Sequence, residues 1–297
     1  MKKLMGLCVL YLGMHTYVYA QQDPTNTRTD SITRDTTPIM QLQPVATDKP
    51  IPVYKLKPAV DIPITAVGTG WSLFAFTQIY NKDQSTSEQV LALQKSDVNG
   101  FDRWGIRPYD EDVDKLSYLP FYAAMPMPIV FLFDSKMKKD FWKLSFMYLE
   151  AMSITGLLYT GSTYFKDRYR PYTYHEGTDL DHKMRGGAKN SFYAGHVALV
   201  ATSTFFFAQV WADYHPDSKA KWVWYTVAGA ATGATAYMRY YAGQHFPSDL
   251  LLGITQGTLT GLLVPRLHKT KLFKNQQLSI VPFAGPSNGL AVVYRFK

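Results

Sequence analysis

Apolar residues in this chain gather into long blocks separated by polar stretches, at residues 62–80, 119–133, 141–165, 191–214, 221–241 and 249–267. Blocks of this length predict helices rather than strands. Most carry Thr, Ser, Gln or Gly among their apolar residues, so each is a marginal membrane span. Ahead of them, residues 21–61 are rich in Thr, Asp, Gln and Pro and show no apolar period, which predicts a disordered tether. Residues 81–118 read as a polar surface connector with one short helix near 87–95 and no motif. In the tail, residues 268–297, two short strand-like runs at 278–284 and 290–296 flank Gly285-Pro286-Ser287-Asn288-Gly289. Asn-Gly between such runs signals a hairpin, and two strands cannot close a barrel. No internal repeat is visible. The pattern predicts a mainly α-helical domain over residues 62–267 with a small C-terminal β-hairpin.

The first twenty residues change the picture of where the chain works. Lys2 and Lys3 precede an apolar run from Leu4 to Leu12, and Val18-Tyr19-Ala20 offers small residues for cleavage. Residues 1–20 therefore read as a secretory signal peptide, the run being too short to span a bilayer comfortably. The only cysteine, Cys8, lies inside it. The exported chain is then expected to have no disulfide, no thiol nucleophile and no cysteine for a zinc site. The formal charge of +8 falls to +6 without Lys2 and Lys3. That balance suits anionic partners such as phosphate esters or acidic lipid surfaces.

Chemistry concentrates at helix ends. Lys166-Asp167-Arg168-Tyr169-Arg170-Pro171 closes one helical block, and Ser191-Phe192-Tyr193-Ala194-Gly195-His196 opens the next. Arg239 and His245-Phe246-Pro247-Ser248-Asp249 lie at the junction of the last two blocks. If the helices alternate in direction, all three clusters share one face. Taken singly, Arg-Pro is an ordinary helix exit and Asp249 an ordinary helix-start carboxylate. Taken together, two arginines, two histidines and a carboxylate suit phosphoryl transfer. Arg170 and Arg239 offer planar forks for phosphate oxygens. A helix start supplies free N–H groups, and Gly195 lets an anion approach. His245 is a candidate nucleophile and His196 a candidate general acid. Asp249, one turn from His245, is placed to fix its tautomer.

These residues resemble the motifs of the type-2 phosphatidic acid phosphatase superfamily, which includes bacterial acid phosphatases and vanadium haloperoxidases. Arg239-x5-His245-x3-Asp249 matches the third motif in full spacing, Gly195-His196 the end of the second, and Arg170-Pro171 the end of the first. The resemblance covers about residues 119–267. It implies a helical bundle, His245 as nucleophile, His196 as general acid, Asp249 orienting His245, and Arg170 and Arg239 as phosphate clamps. Thr163 stands where the family has a lysine, and Ala194 where it has a serine. Lys166, one helical turn on, is expected to supply the missing charge, and the Ala194 backbone N–H to remain for phosphate.

The expected activity is hydrolysis of phosphate monoesters or pyrophosphates, with envelope lipid phosphates as substrates. No metal, cofactor, nucleic acid or obligate protein partner is expected. The alternatives are an acid phosphatase acting on soluble esters, a vanadate-dependent oxidase, and a non-catalytic member of the fold. Six full spans after a cleaved signal would place the active face in the cytoplasm, whereas the basic residues Lys136, Lys138, Lys139, Arg266, Lys269, Lys271 and Lys274 mark the opposite face as cytoplasmic. Residues 119–133, with Pro120, Pro126 and Pro128, are the block expected not to span. A bundle lying wholly outside the membrane also resolves the conflict.

Overall fold

The computed structural model describes residues 52–270 and the backbone of residues 278–283 and 289–294. The expected signal peptide, residues 1–20, and residues 21–51 of the expected tether lie outside the described residues. In chain order the helices are α1 (Pro58–Tyr80), α2 (Ser87–Leu91), α3 (Glu111–Leu116), α4 (Tyr118–Ala124), α5 (Phe141–Phe165), α6 (Leu180–Met184), α7 (Gly195–Tyr214), α8 (Lys221–Tyr241) and α9 (Pro247–His268). The tail carries β1 (Leu278–Phe283) and β2 (Gly289–Tyr294), paired antiparallel with Leu278 opposite Tyr294.

Local chemistry sets several of these boundaries. Pro58 and Pro247 open α1 and α9 in the first helical position, where a missing N–H costs nothing. Thr86 and Gln89 cap α2 reciprocally, and Asp110 accepts from the Val113 N–H to start α3. The block at 119–133 is not one helix. It divides into α4 and a 3-10 segment, Met127–Phe133, at Pro126 and Pro128, with a bend of 44°.

Helix α7 lies at the centre, against α5, α8 and α9. It runs antiparallel to α5: Thr155 meets Thr202 at 2.7 Å, and Tyr148 meets Ser203 at 3.1 Å. Gly253, Gly257 and Gly261 form a stripe on α9 that takes the α7 backbone. A Cβ on Gly257 would stand 2.2 Å from the Ala198 carbonyl oxygen, so only glycine permits this approach. Between α1 and α5, Gly68 meets Ser153 and Gly156 meets Ser72 in the same way.

The expected tether ends earlier than residue 61. Tyr54 is fully buried, its hydroxyl donates to Asp213 at 2.7 Å, and the Lys55 N–H donates to the His268 carbonyl at 2.9 Å. An aromatic ring packed on the core and two hydrogen bonds offset the ordering of this stretch, which composition alone read as unstructured.

Outward faces are strongly apolar. Val67 and Leu73 on α1, Trp142 and Phe165 on α5, Trp222 on α8 and Leu267 on α9 are all exposed. Helices α1, α7 and α9 are each long and apolar enough to cross a membrane, and α3–α4 with Met127–Phe133 passes as a bent pair. Exposed apolar surface on this scale marks contact with lipid or a partner.

The glycine stripe yields a paired prediction. Gly257→Ala should destabilise the purified protein by about 1–3 kcal/mol through overpacking against backbone. Gly233→Ala on α8, where an added Cβ meets nothing within 4 Å, should be neutral or stabilising by roughly 0.5–1 kcal/mol. Thermal unfolding in detergent reads both, and equal effects would contradict the packing.

Candidate active site

The loop after α8 delivers His245. The N–H groups of Ala242, Gly243 and Gln244 return to the carbonyls of Met238, Tyr240 and Arg239. Gly243 turns the chain at φ 67°, and a Cβ there would stand 2.6 Å from the Pro108 carbonyl oxygen. Both the left-handed backbone and the close approach require glycine. His245 then enters the interior, 2% exposed, with Nδ1 2.7 Å from the Ser191 carbonyl oxygen. A carbonyl only accepts, so Nδ1 carries the proton and Nε2 is left with a lone pair. Burial holds the His245 imidazole well below the ordinary histidine range, and the nearby charges of Arg170 and Arg239 push it the same way. A neutral imidazole with a free Nε2 is the form that attacks phosphorus.

Asp249 does not reach His245, contrary to the expectation from its spacing. Its Oδ2 accepts from the Ser191 hydroxyl at 2.7 Å and the Phe246 N–H at 3.0 Å, and its Oδ1 pairs with the Arg168 guanidinium. The link to His245 is indirect: Asp249 holds Ser191, whose carbonyl holds Nδ1. The reason is geometric. Pro247 starts α9 after His245, so Asp249 faces back to its own helix N-terminus and the Phe246 N–H there.

Arg168 is the second half of this arrangement. It also reaches Asp102 at 2.7 Å and Ser248 at 3.1 Å, while Asp102 accepts from the Ser248 N–H and hydroxyl at 2.9 and 2.6 Å. Asp102 belongs to the polar connector at 81–118, which is therefore more than surface. The connector also supplies Asp114 and Ser117 to the fully buried Arg239, Ser117 at 3.0 Å. Isolated short polar side chains in a connector carry no periodic signal, so Asp102, Asp114 and Ser117 are not evident from the sequence. Ser191 was quoted only as the start of its cluster.

His196 opens α7 with its ring edge-on to Tyr118, centroids 4.6 Å apart, and 5.0 Å from Phe121. Arg239 lies 5.8 Å from the Tyr118 ring. The Nε atoms of both Arg170 and Arg239 are buried and find no hydrogen-bond partner among the described residues. Each arginine thus keeps one buried donor without an acceptor among the described residues, although Arg239 is also anchored by Asp114 and Ser117. This geometry draws together Arg170, Arg239, His196 and His245 from three chain segments.

The PAP2 superfamily family model matches residues 143–273. Residues 143–273 are thus similar to the PAP2 superfamily. Among solved structures, the crystal structure of a transmembrane PAP2-type phosphatidylglycerolphosphate phosphatase from Bacillus subtilis aligns with a TM-score of 0.40 and 16% identity, over 71% of this chain and 98% of that one. Among curated protein sequences, none matches this chain.

Three expectations about the PAP2 motif positions need correction. Helix α5 ends at Phe165, and Lys166 is extended (φ −135°, ψ 119°). Extrapolating the helix to Lys166 therefore fails: its side chain is exposed, with Nζ 5.9 Å from the Phe192 ring. Thr163 is buried and bonds the Phe192 carbonyl at 2.9 Å, and the cation nearest it is Lys82, whose Nζ reaches the Thr163 carbonyl at 2.7 Å and Asp167 at 2.6 Å. The Ala194 N–H is directed to the Asp249 carbonyl at 3.3 Å rather than left for an anion. Gly195 gives its space to the Tyr159 ring, which a Cβ would meet at 2.5 Å. The first N–H groups of α7, those of Gly195, His196 and Val197, remain without intrahelical acceptors by helix geometry.

Arg168 and Lys166 separate these roles. Arg168→Met should cost on the order of 3 kcal/mol, because it leaves the buried Asp102 and Asp249 carboxylates without their cation. Lys166→Met should change neither stability nor turnover by more than about twofold, being an exposed surface charge. Thermal unfolding and phosphate release on the two variants check this, and the reverse order would show that the extended segment is wrongly placed.

Proposed function

We propose that the PAP2 domain hydrolyses phosphate monoesters or pyrophosphates of envelope lipids through a phosphohistidine on His245. The observation that carries the reading is the pair of buried Nε–H groups on Arg170 and Arg239, unpartnered among the described residues, whose charges bear on a neutral His245. A transferring phosphoryl group spreads charge over its equatorial oxygens, and these donors meet it without a metal in the phosphate site. Nε2 of His245 forms the N–P bond as the P–O bond to the leaving group breaks. His196 gives its proton to the departing oxygen. Water then attacks phosphorus, His196 takes a proton from it, and the N–P bond breaks to release inorganic phosphate. Asp249 acts through Ser191, as a positioning residue.

Lipid substrates are favoured over soluble esters by two surfaces. Apolar side chains face outward on α1, α5, α8 and α9. An apolar cavity of about 290 Å³, lined by Phe101, Trp104, Tyr237, Tyr240, Leu251 and Ile254, also reaches Pro247 and Leu250, within two turns of His245. A slot of that character accepts hydrocarbon beside the phosphate site. In this reading the domain is exported, its phosphate site faces the periplasm and its apolar helices associate with a membrane.

Three outcomes are expected. His245→Ala should abolish phosphate release, and rapid acid-free quenching of wild type with labelled substrate should trap an acid-labile, alkali-stable phosphoryl group that the variant lacks. Wild-type-like turnover in His245→Ala would end the proposal. Dispersed lipid phosphates should exceed p-nitrophenyl phosphate in kcat/KM by about tenfold or more, one methylene-rich contact being worth that scale; equal values would favour the soluble-ester reading. Because the His245 pKa is depressed, the nucleophile stays unprotonated as pH falls through the usual histidine range. The acid limb of kcat/KM assigned to it should therefore lie below about pH 6.5, and a limb at or above that value would contradict the buried, arginine-flanked geometry.

A further inference from the structure

Far from the phosphate site, Asp61 of α1, Glu150 of α5 and His268 of α9 converge. They are 4%, 4% and 6% exposed. His268 ends α9 while Asp249 begins it, a separation of about 28 Å at 1.5 Å per residue. The mechanism proposed above uses none of the three.

Their geometry is that of ligands. His268 Nδ1 lies 2.8 Å from the Val264 carbonyl oxygen, so Nδ1 carries a proton and Nε2 points inward. Nε2 is 3.2 Å from Asp61 Oδ2 and 3.2 Å from Glu150 Oε2. One oxygen or nitrogen from each residue lies within 4.8 Å of the other two. A zinc-class ion with bonds of about 2.0–2.1 Å in tetrahedral geometry spaces its ligands roughly 3.3 Å apart. The two nitrogen–oxygen separations match that edge.

Asp61 Oδ2 also accepts from the Lys57 N–H, but hydrogen bonding leaves Glu150 unsatisfied. A proton on Nε2 can be aimed along one line only, toward one carboxylate. Glu150 Oε2 is buried and receives no hydrogen bond despite its 3.2 Å approach to the imidazole. Two carboxylates buried together around one imidazole also carry more negative charge than that ring alone offsets. A dication would be met by all three ligand atoms at once and neutralise both carboxylates. One imidazole with two carboxylates suits borderline divalent ions.

We propose that Asp61, Glu150 and His268 bind one divalent transition-metal ion of the zinc class, which fastens α1, α5 and α9 together at the end of the bundle remote from His245. The proposal does not depend on the phosphatase reading.

The test uses the full-length protein in detergent, stripped by chelator and dialysed, with zinc itself as the probe. Plasma mass spectrometry after reloading should find one equivalent of zinc. Saturating zinc should raise the Tm by about 5 °C or more, the scale for a ligand at a hundredfold its Kd. Glu150→Gln and His268→Gln should lose both effects, while His215→Gln, which touches the separate Asp134 pair, should keep them. Should the two variants fail to fold, cobalt(II) loading of the wild type decides: stoichiometric visible absorption displaced by zinc is expected. Absence of that absorption, no zinc-dependent Tm shift in the wild type, or an undiminished shift in folded Glu150→Gln and His268→Gln would overturn the proposal.

Discussion

The site depends on a carboxylate with no exposure to solvent. Asp249 is held by the Arg168 guanidinium, the Ser191 hydroxyl and the Phe246 N–H. Those partners come from the segment after α5, the segment before α7 and the start of α9. A buried carboxylate with one partner removed is an uncompensated charge, so the three segments are bound to move together. Ser191 passes the constraint on, since its hydroxyl serves Asp249 while its carbonyl fixes the His245 tautomer. One residue thus answers for both the position and the protonation pattern of His245.

Around that node the charges alternate. Arg168 sits between Asp249 and Asp102, and Arg239 is anchored by Asp114 and Ser117. Arg168 is engaged by two aspartates and Ser248, contacts that tie it to the scaffold. Arg239 is held on one side and keeps an unpartnered Nε. The connector supplies the anchoring acids for both, which couples residues 81–118 to the site although they precede the matched PAP2 segment.

The sequence made the long helices legible because apolar blocks of that length have few other solutions, and their observed limits fall close to the block edges. Convergence of the three clusters was also legible, since alternation of helix direction suffices to bring those ends to one side. The failures were local. Asp249 was assigned to His245 on spacing, but Pro247 starts a new helix between them and turns the carboxylate toward the Phe246 N–H. Lys166 was extrapolated along a helix that stops one residue earlier. Arg168 serves two aspartates 66 and 81 residues away in sequence, contacts that no pattern of period encodes. Tyr54 shows the same limit at the tether: a single aromatic ring, fully buried, ordered a stretch whose composition argued otherwise.

The two altered PAP2 positions follow from how charge is distributed. With Thr163 in place of lysine, the α5 end presents a neutral hydroxyl that is already bonded to the Tyr159 and Phe192 carbonyls. Lys82 comes near but is committed to the Thr163 carbonyl and to Asp167. With Ala194 in place of serine, no hydroxyl stands at the α7 start, and the Ala194 N–H holds the Asp249 carbonyl. In the proposed reaction, the positive charge offered to a phosphoryl group therefore rests on Arg170 and Arg239, two forks of fixed planar geometry rather than a mobile ammonium. Planar donors discriminate by orientation, whereas a point charge attracts any anion. On the proposed function, a site stripped of the latter and bordered by apolar helices gains most of its selectivity from how the phosphate is presented, which a membrane surface fixes and free solution does not.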